Sequence, residues 1–352
     1  DDVFITGTDP DTAYAERIQP LPGMGLVTWA MRRDIDRHQR EVTVSVGSIV
    51  SRARWRQGLG CLALPDGEPL PAASLPAQPV PPPDPWGAAP VPAANARLRA
   101  TLDAAVVDKP GQPPHRTKAV LVLHDGRLIG ERYAPGYGVD TPVLSFSATK
   151  TLTNALIGVL VRQGRLQLDR PAPIPAWQAA ADPRHAITVE HLLRQTSGLD
   201  LEQDNSGFDV NAQIMYAVRD KAAVSAVAPL AVPPGTRWAY TDTNYMLLSR
   251  LIRDAVGGSA ADVTRFAQAE LFGPLGMRHV TLDFDATGTG IGSSHLSASA
   301  RDWARLGQLA LDDGMHQGQR ILPEGWMAMS TTPTLDTGYG ASWWTNRKPG
   351  LV

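Results

Sequence analysis

The stretch Ser147-Ala148-Thr149-Lys150 precedes a largely apolar run, residues 151–161, that ends near Gly164. This pattern predicts a buried helix with a serine at its start and a lysine one turn later. Residues three apart lie on one helical face, so the amine can reach the hydroxyl. An unpaired buried ammonium is costly. A desolvated lysine, however, loses its proton more easily and can act as a base. The spacing therefore predicts a nucleophilic serine activated by a lysine.

The composition of the chain excludes several classes of partner and site. Its 352 residues suffice for one large domain or two ordinary ones, and 43% are hydrophobic, which allows a substantial core. A formal net charge of -2 does not favour nucleic acid or an anionic membrane surface as the main partner. The single cysteine, Cys61, excludes an internal disulfide and a cysteine-based zinc cluster. The eight histidines show no metal-ligand spacing, so we expect neither a metal nor a cofactor.

Three regions follow from changes in composition along the chain. Residues 1–68 mix short apolar runs with basic residues and are interpreted as an N-terminal extension wrapped on the main domain. Residues 69–93 are rich in proline and alanine, which is typical of a linker or surface strap. Residues 94–352 form the predicted main domain. Because the chain starts at Asp1 rather than Met, we expect that a leader was removed. That favours a periplasmic or secreted protein, with a cytoplasmic location as the alternative.

The main domain is predicted to be α+β. Residues 119–124 and 127–133 are β-rich runs joined by Asp125-Gly126, which indicates a hairpin. Thr188 is placed to cap a short helix, residues 245–256 have the pattern of a buried helix, and Ser299 with Asp302 resembles a capping box. A hairpin followed by helices predicts an antiparallel β-sheet flanked by helices, with a helical lobe.

Four landmarks together resemble a known family. Ser147-Ala148-Thr149-Lys150 matches the SxxK motif of penicillin-recognising serine hydrolases. Residues 191–199 (HLLRQTSGL), 240–248 (YTDTNYMLL) and 296–307 (LSASARDWARLG) are similar, in order and spacing, to stretches of class C β-lactamase-like esterases. The branch that looks most similar is that of 6-aminohexanoate-dimer hydrolases and esterases. The resemblance implies a β-lactamase/transpeptidase-like fold and a cofactor-free serine hydrolase acting on a small ester or amide.

The resemblance also implies roles for individual residues. Ser147 would attack an acyl carbon, with its backbone N–H as half of an oxyanion hole, Lys150 would help to remove its proton, and Tyr240 would shuttle a proton to the leaving group. Asn244 or Asp242 would orient Lys150. Asp242 departs from the usual asparagine of the family, and a carboxylate beside the amine would make it a poorer base. On that ground we expect Asp242 to point away and Asn244 to take its place.

Several alternatives stay open at this stage. Taken alone, Ser147 is better explained as a helix cap, Lys150 can be a surface lysine, and Tyr240 can be a core tyrosine. His295 is either a loop residue or one that lines the site, and Trp344 either walls the acyl pocket or belongs to the core. The alternative activities are those of a β-lactamase or DD-peptidase, or of a ligand sensor without turnover. Oligomeric state is not predicted.

The third family motif is not found in its usual form. Relatives carry a late Lys-Thr-Gly or His-x-Gly segment on a central strand, which supplies the second oxyanion donor. Lys348-Pro349-Gly350 resembles it only superficially, because proline disrupts a central strand and two residues follow. A strand is predicted near residues 339–345. We therefore expect that the natural protein continues past Val352, or that its closing strands come from a separate fragment.

Overall fold

The structure is a computed structural model that describes residues 1–65, 67, 69, 75, 83–201, 203–204 and 209–346. Within these ranges the α-helices are α1 Pro10–Arg17, α2 Met24–Val27, α3 Ala96–Ala105, α4 Thr149–Arg162, α5 Val189–Leu193, α6 Val210–Ala217, α7 Lys221–Ala226, α8 Thr243–Val256, α9 Ala260–Ala267, α10 Gly273–Leu275, α11 Ala300–Leu311 and α12 Trp326–Thr331. No helix of the described chain is long and apolar enough to cross a membrane.

The strands are short and antiparallel. They are β1 Met31–Asp36, β2 Glu41–Val46, β3 Ile49–Arg56, β4 Gly60–Pro65, β5 Ala119–His124, β6 Arg127–Tyr133, β7 Val143–Leu144, β8 Thr281–Leu282, β9 Leu296–Ala298, β10 Met315–His316 and β11 Gln319–Arg320. They form a four-stranded sheet in the order β1-β2-β3-β4, a three-stranded sheet in the order β7-β9-β8, and the two hairpins β5-β6 and β10-β11. Helices and antiparallel sheets in one chain confirm the α+β class.

The centre of the main domain is helical. Helix α4 is buried along most of its length, and it packs against α8, which α5 and α7 also contact. Leu156, Val159 and Leu248 belong to the largest cluster of buried apolar side chains. Burying such side chains contributes roughly 1.5–3 kcal/mol each. The result is a rigid platform for the residues at the first turns of α4 and α8.

The predicted hairpin is present with the expected turn. Strands β5 and β6 pair from Ala119–Tyr133 to His124–Arg127, with a bulge after Val122. Asp125 and Gly126 both have positive φ, 49° and 72°. Two left-handed residues in a two-residue loop define the type I′ turn that Asp-Gly favours. The hairpin prediction is therefore confirmed.

The N-terminal region is more ordered than an extension. Residues 31–65 form the four-stranded sheet, a structure that the sequence interpretation lacked. The sheet contacts the main domain, because the guanidinium of Arg56 donates to the carbonyl of Phe284 at 2.5 Å. The N–H of Cys61 also donates to the Asp283 carboxylate at 3.0 Å.

The described part of the proline-rich segment is fixed to the domain. Arg301 is 1% exposed and donates to the carbonyls of Gly87 and Ala89, while it is paired with Glu131. Glu131 in turn accepts from the Val91 N–H. Residues 83–93 are therefore a surface strap rather than a free linker.

The end of the chain differs from the prediction of a strand near residues 339–345. Only a single bridging pair, Tyr339 with Trp344, is formed there. Gly340 donates to the carbonyl of Trp343, which makes the segment a tight turn. Lys348-Pro349-Gly350, which resembles the third motif only superficially, lies outside the described residues.

Candidate active site

Ser147 lies in a short 3-10 turn, Phe146–Ala148, directly before α4. Phe146 has a φ of 43°, a left-handed conformation that bulky residues rarely adopt. Ser147 is exposed, whereas Thr149 and Lys150 are buried. The turn therefore presents the serine to solvent at the start of a helix whose next residues are in the core.

Lys150 hydrogen-bonds both the exposed serine and buried groups. Its side chain is 1% exposed, and its Nζ lies 3.4 Å from Ser147 Oγ, 2.5 Å from Asp242 Oδ1 and 3.0 Å from the carbonyl oxygen of Ser293. An ammonium has three protons to donate, and these three acceptors match them. The buried cation is thus paired and hydrogen-bonded, as burial requires.

The structure corrects the expectation about the lysine's partner. Asp242 does not point away; its carboxylate forms the ion pair with Lys150. Asn244 does not take its place, because its Nδ2 donates to Gln195 Oε1 at 2.7 Å and its Oδ1 accepts from Ser197 Oγ at 2.8 Å. Asp242 is the residue immediately before α8 and Asn244 lies in its first turn. Residues two apart on a helix face different directions.

Two further residues hold Asp242. The Nδ2 of Asn211, in the first turn of α6, lies 3.5 Å from Asp242 Oδ2. The backbone N–H of Asp242 donates to Gln203 Oε1 at 2.9 Å. Neither Asn211, Gln203 nor the carbonyl of Ser293 was predicted. They come from segments without a motif, and only the fold brings them to the lysine.

Tyr240 is beside the amine as well. Lys150 Nζ lies 4.7 Å from the centroid of the Tyr240 ring and 5.2 Å from that of Tyr245. Both distances are within the range of a cation–π interaction. Tyr240 is half-buried rather than a core residue. Ser147, Lys150 and Tyr240 are therefore brought together around one amine.

Trp344 belongs to an aromatic wall beside Tyr240 rather than to the core. It is 65% exposed, and its ring is stacked on that of Tyr240 at an interplanar angle of 25°. Tyr339 meets Trp344 edge-on at 5.1 Å between centroids, and Trp238 is packed against Tyr240 and Trp344. This wall gives the site an apolar, planar border.

His295 lines a small cavity of about 110 Å³ together with Cys61, Lys221 and Asp283. Its Nδ1 is 2.7 Å from Ser294 Oγ. Burial, aided by the charge of Lys221, lowers the pKa of His295 to about 4. The ring is therefore neutral at physiological pH. Of the described residues, no group of three or more His, Cys, Asp or Glu is arranged to hold a metal ion.

A comparison with protein-family models matches residues 102–351 to the family described as Beta-lactamase. The match covers more than half of the chain and includes the residues around Lys150. This chain belongs to the Beta-lactamase family. The family assignment confirms the resemblance and the β-lactamase-like fold that the four landmarks predicted.

Relatives of this β-lactamase-family chain include hydrolases. It is 25% identical over 226 residues to the 6-aminohexanoate-dimer hydrolase of Paenarthrobacter ureafaciens, a match that covers 60% of this chain and 56% of that protein. It is 29% identical over 198 residues to a D-aminopeptidase of Gluconobacter oxydans, covering 52% of this chain and 35% of that protein. The chain thus spans about half or less of the length of these two curated relatives.

Solved structures agree on the fold. A putative 6-aminohexanoate-dimer hydrolase from Bacillus anthracis superposes with a TM-score of 0.56 at 24% identity, covering 68% of this chain and 70% of that one. A penicillin binding protein from Bacillus halodurans gives 0.52 at 19% identity, covering 66% and 80%. At these identities the likeness establishes the fold alone.

Proposed function

We propose that this β-lactamase-family chain is a serine hydrolase that cleaves a small ester or amide through an acyl-enzyme on Ser147. One observation carries the proposal: an exposed serine hydroxyl lies 3.4 Å from the Nζ of a buried lysine. A hydroxyl next to a positioned base is the arrangement that nucleophilic catalysis requires.

In the acylation step, Ser147 Oγ forms a bond to the acyl carbon of the substrate. Its proton passes to the Lys150–Tyr240 pair and then to the leaving alcohol or amine, whose bond to the acyl carbon breaks. In the second step the oxygen of water forms a bond to the acyl carbon, and the bond between that carbon and Ser147 Oγ breaks, which releases the carboxylic acid. One proton of the water passes through the same pair to Ser147 Oγ and restores the hydroxyl. No external oxidant, reductant or metal is needed for this balance.

The contact with Asp242 affects whether Lys150 can accept a proton. A carboxylate 2.5 Å from the amine favours the ammonium. The ammonium can donate to the serine oxygen but cannot accept its proton. The reactive form is therefore the one in which the pair has lost a proton, and the rate should rise with pH. Tyr240, stacked against the cation, is the second group that can carry this proton.

The oxyanion that forms on the substrate requires donors. The backbone N–H of Ser147, in the turn that leads into α4, is placed at a helix N-terminus, where N–H groups and the helix dipole favour negative charge. We assign it as one donor. On the opposite side, Tyr240 and Trp344 offer a flat apolar surface suited to the leaving group or acyl group of a small substrate.

Hydrolysis can be tested with a substrate panel. Steady-state rates should be measured with p-nitrophenyl acetate and butyrate, the linear dimer of 6-aminohexanoate, and nitrocefin. A fluorophosphonate probe should label the wild-type protein but not Ser147→Ala. Labelling without turnover of any substrate would favour a ligand sensor, and nitrocefin as the preferred substrate would favour a β-lactamase. Turnover that survives in Ser147→Ala would contradict the proposal.

A further inference from the structure

Gln195 has an unusual backbone conformation in the interior. It is 1% exposed and its φ is 61°. The left-handed region costs a residue other than glycine roughly 1 kcal/mol or more, and such residues persist where surrounding contacts hold them. Gln195 follows α5 and precedes the Thr196-Ser197-Gly198 turn, so the strain lies inside the sequence landmark of residues 191–199.

The contacts that hold Gln195 lie on both sides of Tyr240. Its backbone carbonyl accepts from the N–H of Ala239 at 2.9 Å. Its side-chain Nε2 donates to the carbonyl of Thr241 at 2.8 Å, and its Oε1 accepts from the N–H of Thr241 at 3.4 Å. One residue therefore binds backbone groups of the residues immediately before and after the proposed proton-transfer tyrosine.

Neighbouring side chains fix the orientation of the Gln195 amide. Asn244 Nδ2 donates to Oε1 at 2.7 Å, and Ser197 Oγ donates to Asn244 Oδ1 at 2.8 Å. Because Oε1 is thus held toward the Asn244 donor, Nε2 faces the Thr241 carbonyl. This chain of hydrogen bonds explains why Asn244 is buried beside the site without contacting Lys150.

We propose that Gln195 is a positioning residue that sets the place of Tyr240 and Asp242 relative to Lys150. Asp242 follows Thr241 directly, so displacement of the Thr241 peptide moves both the tyrosine ring and the carboxylate. Lys150 Nζ is 2.5 Å from that carboxylate and 4.7 Å from the ring centroid, so a small displacement of either group would weaken its contact with the amine. This inference rests on the proposed hydrolase function.

The main test is Gln195→Gly. Glycine tolerates the positive φ, so this variant removes the side chain without adding backbone strain. We expect kcat to fall about 10- to 100-fold with KM changed less than about threefold, because misplacement by about 1 Å costs on that scale. The split between kcat and KM is the readout, because a loss of stability alone would not lower kcat selectively.

Asn154→Ala is the matched control. Asn154 is also a 1% exposed amide, but it is bonded to Ser330, Ala341 and Trp326. It should lose comparable thermal stability while its kcat falls much less than that of Gln195→Gly. Gln195→Glu provides a second variant that keeps the size of the side chain and replaces the donor to the Thr241 carbonyl with an acceptor; it should lose kcat in the same way.

A double mutant separates positioning from general destabilisation. Because part of the effect of Gln195 is exerted through Tyr240, Gln195→Gly combined with Tyr240→Phe should lose less rate than the product of the two single losses. Fully multiplied losses, or a wild-type kcat in both Gln195 variants, would overturn the inference. The proposed function is judged separately, by turnover of the substrate panel in the wild type and its loss in Ser147→Ala.

Discussion

Lys150 Nζ lies 2.5 Å from Asp242 Oδ1 and 3.4 Å from Ser147 Oγ, so the closer partner of the proposed base is a carboxylate rather than the nucleophile. The family resemblance implies an asparagine at the position of Asp242. An asparagine oxygen would accept the same hydrogen bond without the negative charge. The charge of Asp242 is therefore the feature that distinguishes the proton chemistry proposed for this chain.

Asp242→Ala should reduce the rate of hydrolysis more than Asp242→Asn does. Asparagine keeps an oxygen that can accept from Lys150 Nζ, whereas alanine removes the acceptor and leaves the buried ammonium without its partner. We expect kcat/KM to fall about 10- to 100-fold in Asp242→Ala and clearly less in Asp242→Asn. Wild-type kcat/KM in Asp242→Ala would show that this contact does not position the lysine.

Ser147→Ala should abolish hydrolysis while the fold is kept. Loss of a nucleophile typically costs a thousandfold or more in rate, and we expect about that here. Ser145→Ala is the control: Ser145 Oγ accepts from Trp303 Nε1 at 2.8 Å and does not contact Lys150. It should lose less than about tenfold in rate. Comparable losses in the two variants would point to damage to the turn instead of chemistry.

Lys150→Ala and Tyr240→Phe should each reduce kcat far more than they alter KM, because both residues are assigned to proton transfer. Losses of about 100-fold or more are typical for such groups. Lys150→Ala also leaves the Asp242 carboxylate buried without its cation, so this variant should melt at a lower temperature than the wild type. Tyr240→Phe should not. If Tyr240→Phe keeps the wild-type rate, Lys150 is the sole base.

Asp283 gives a prediction about stability and pH. Burial raises the pKa of this carboxyl to about 7 from its ordinary 3.8. Oδ1 accepts from the Cys61 N–H, and Oδ2 has no hydrogen-bond partner among the residues that the structure describes. The folded state therefore binds more protons than the unfolded state between about pH 4 and 7, and stability should fall as the pH rises through this window. Asp283→Asn removes the buried charge, so it should stabilise the protein at pH 8 by on the order of 2 kcal/mol, and much less at pH 4.

Asp285 is the control for that experiment. It is equally buried, but its carboxylate accepts from the N–H groups of Thr287, Thr289 and Lys221. Both carboxylate oxygens of Asp285 accept hydrogen bonds, and Asp285→Asn replaces one of them with an NH2 group that cannot accept. This variant should therefore destabilise the protein at pH 8. Denaturant unfolding at pH 4 and pH 8 measures both variants. Destabilisation by Asp283→Asn at pH 8 would contradict the assignment.

Local features were predictable because neighbouring residues produce them. The Asp125-Gly126 turn, the Thr188 cap and the Ser299–Asp302 capping box each depend on residues at most three apart. All three are present as predicted. The approach of Lys150 to Ser147 is of the same kind, since one helical turn determines it.

The sheet of residues 31–65 was missed for a related reason. Its second and third strands do alternate, as Glu41–Val46 (EVTVSV) and residues 52–56 (RARWR) show, but the sequence interpretation treated these residues as short apolar runs mixed with basic residues. Register and pairing are long-range properties. The strand order β1-β2-β3-β4 became evident only once the chain was folded.

By itself, the sequence determined the α+β class, the hairpin, the family landmarks and the serine–lysine spacing. The tertiary structure decided which residue pairs with Lys150. Asp242 and Asn244 are both polar and two positions apart, and no local rule selects between them; Lys150 is 92 residues from Asp242 in sequence. The selection depends on the packing of α4 against α8 and on Gln195 and Ser197, which occupy Asn244. Such contacts form between segments distant in sequence, so their geometry is set by the whole core rather than by any one motif.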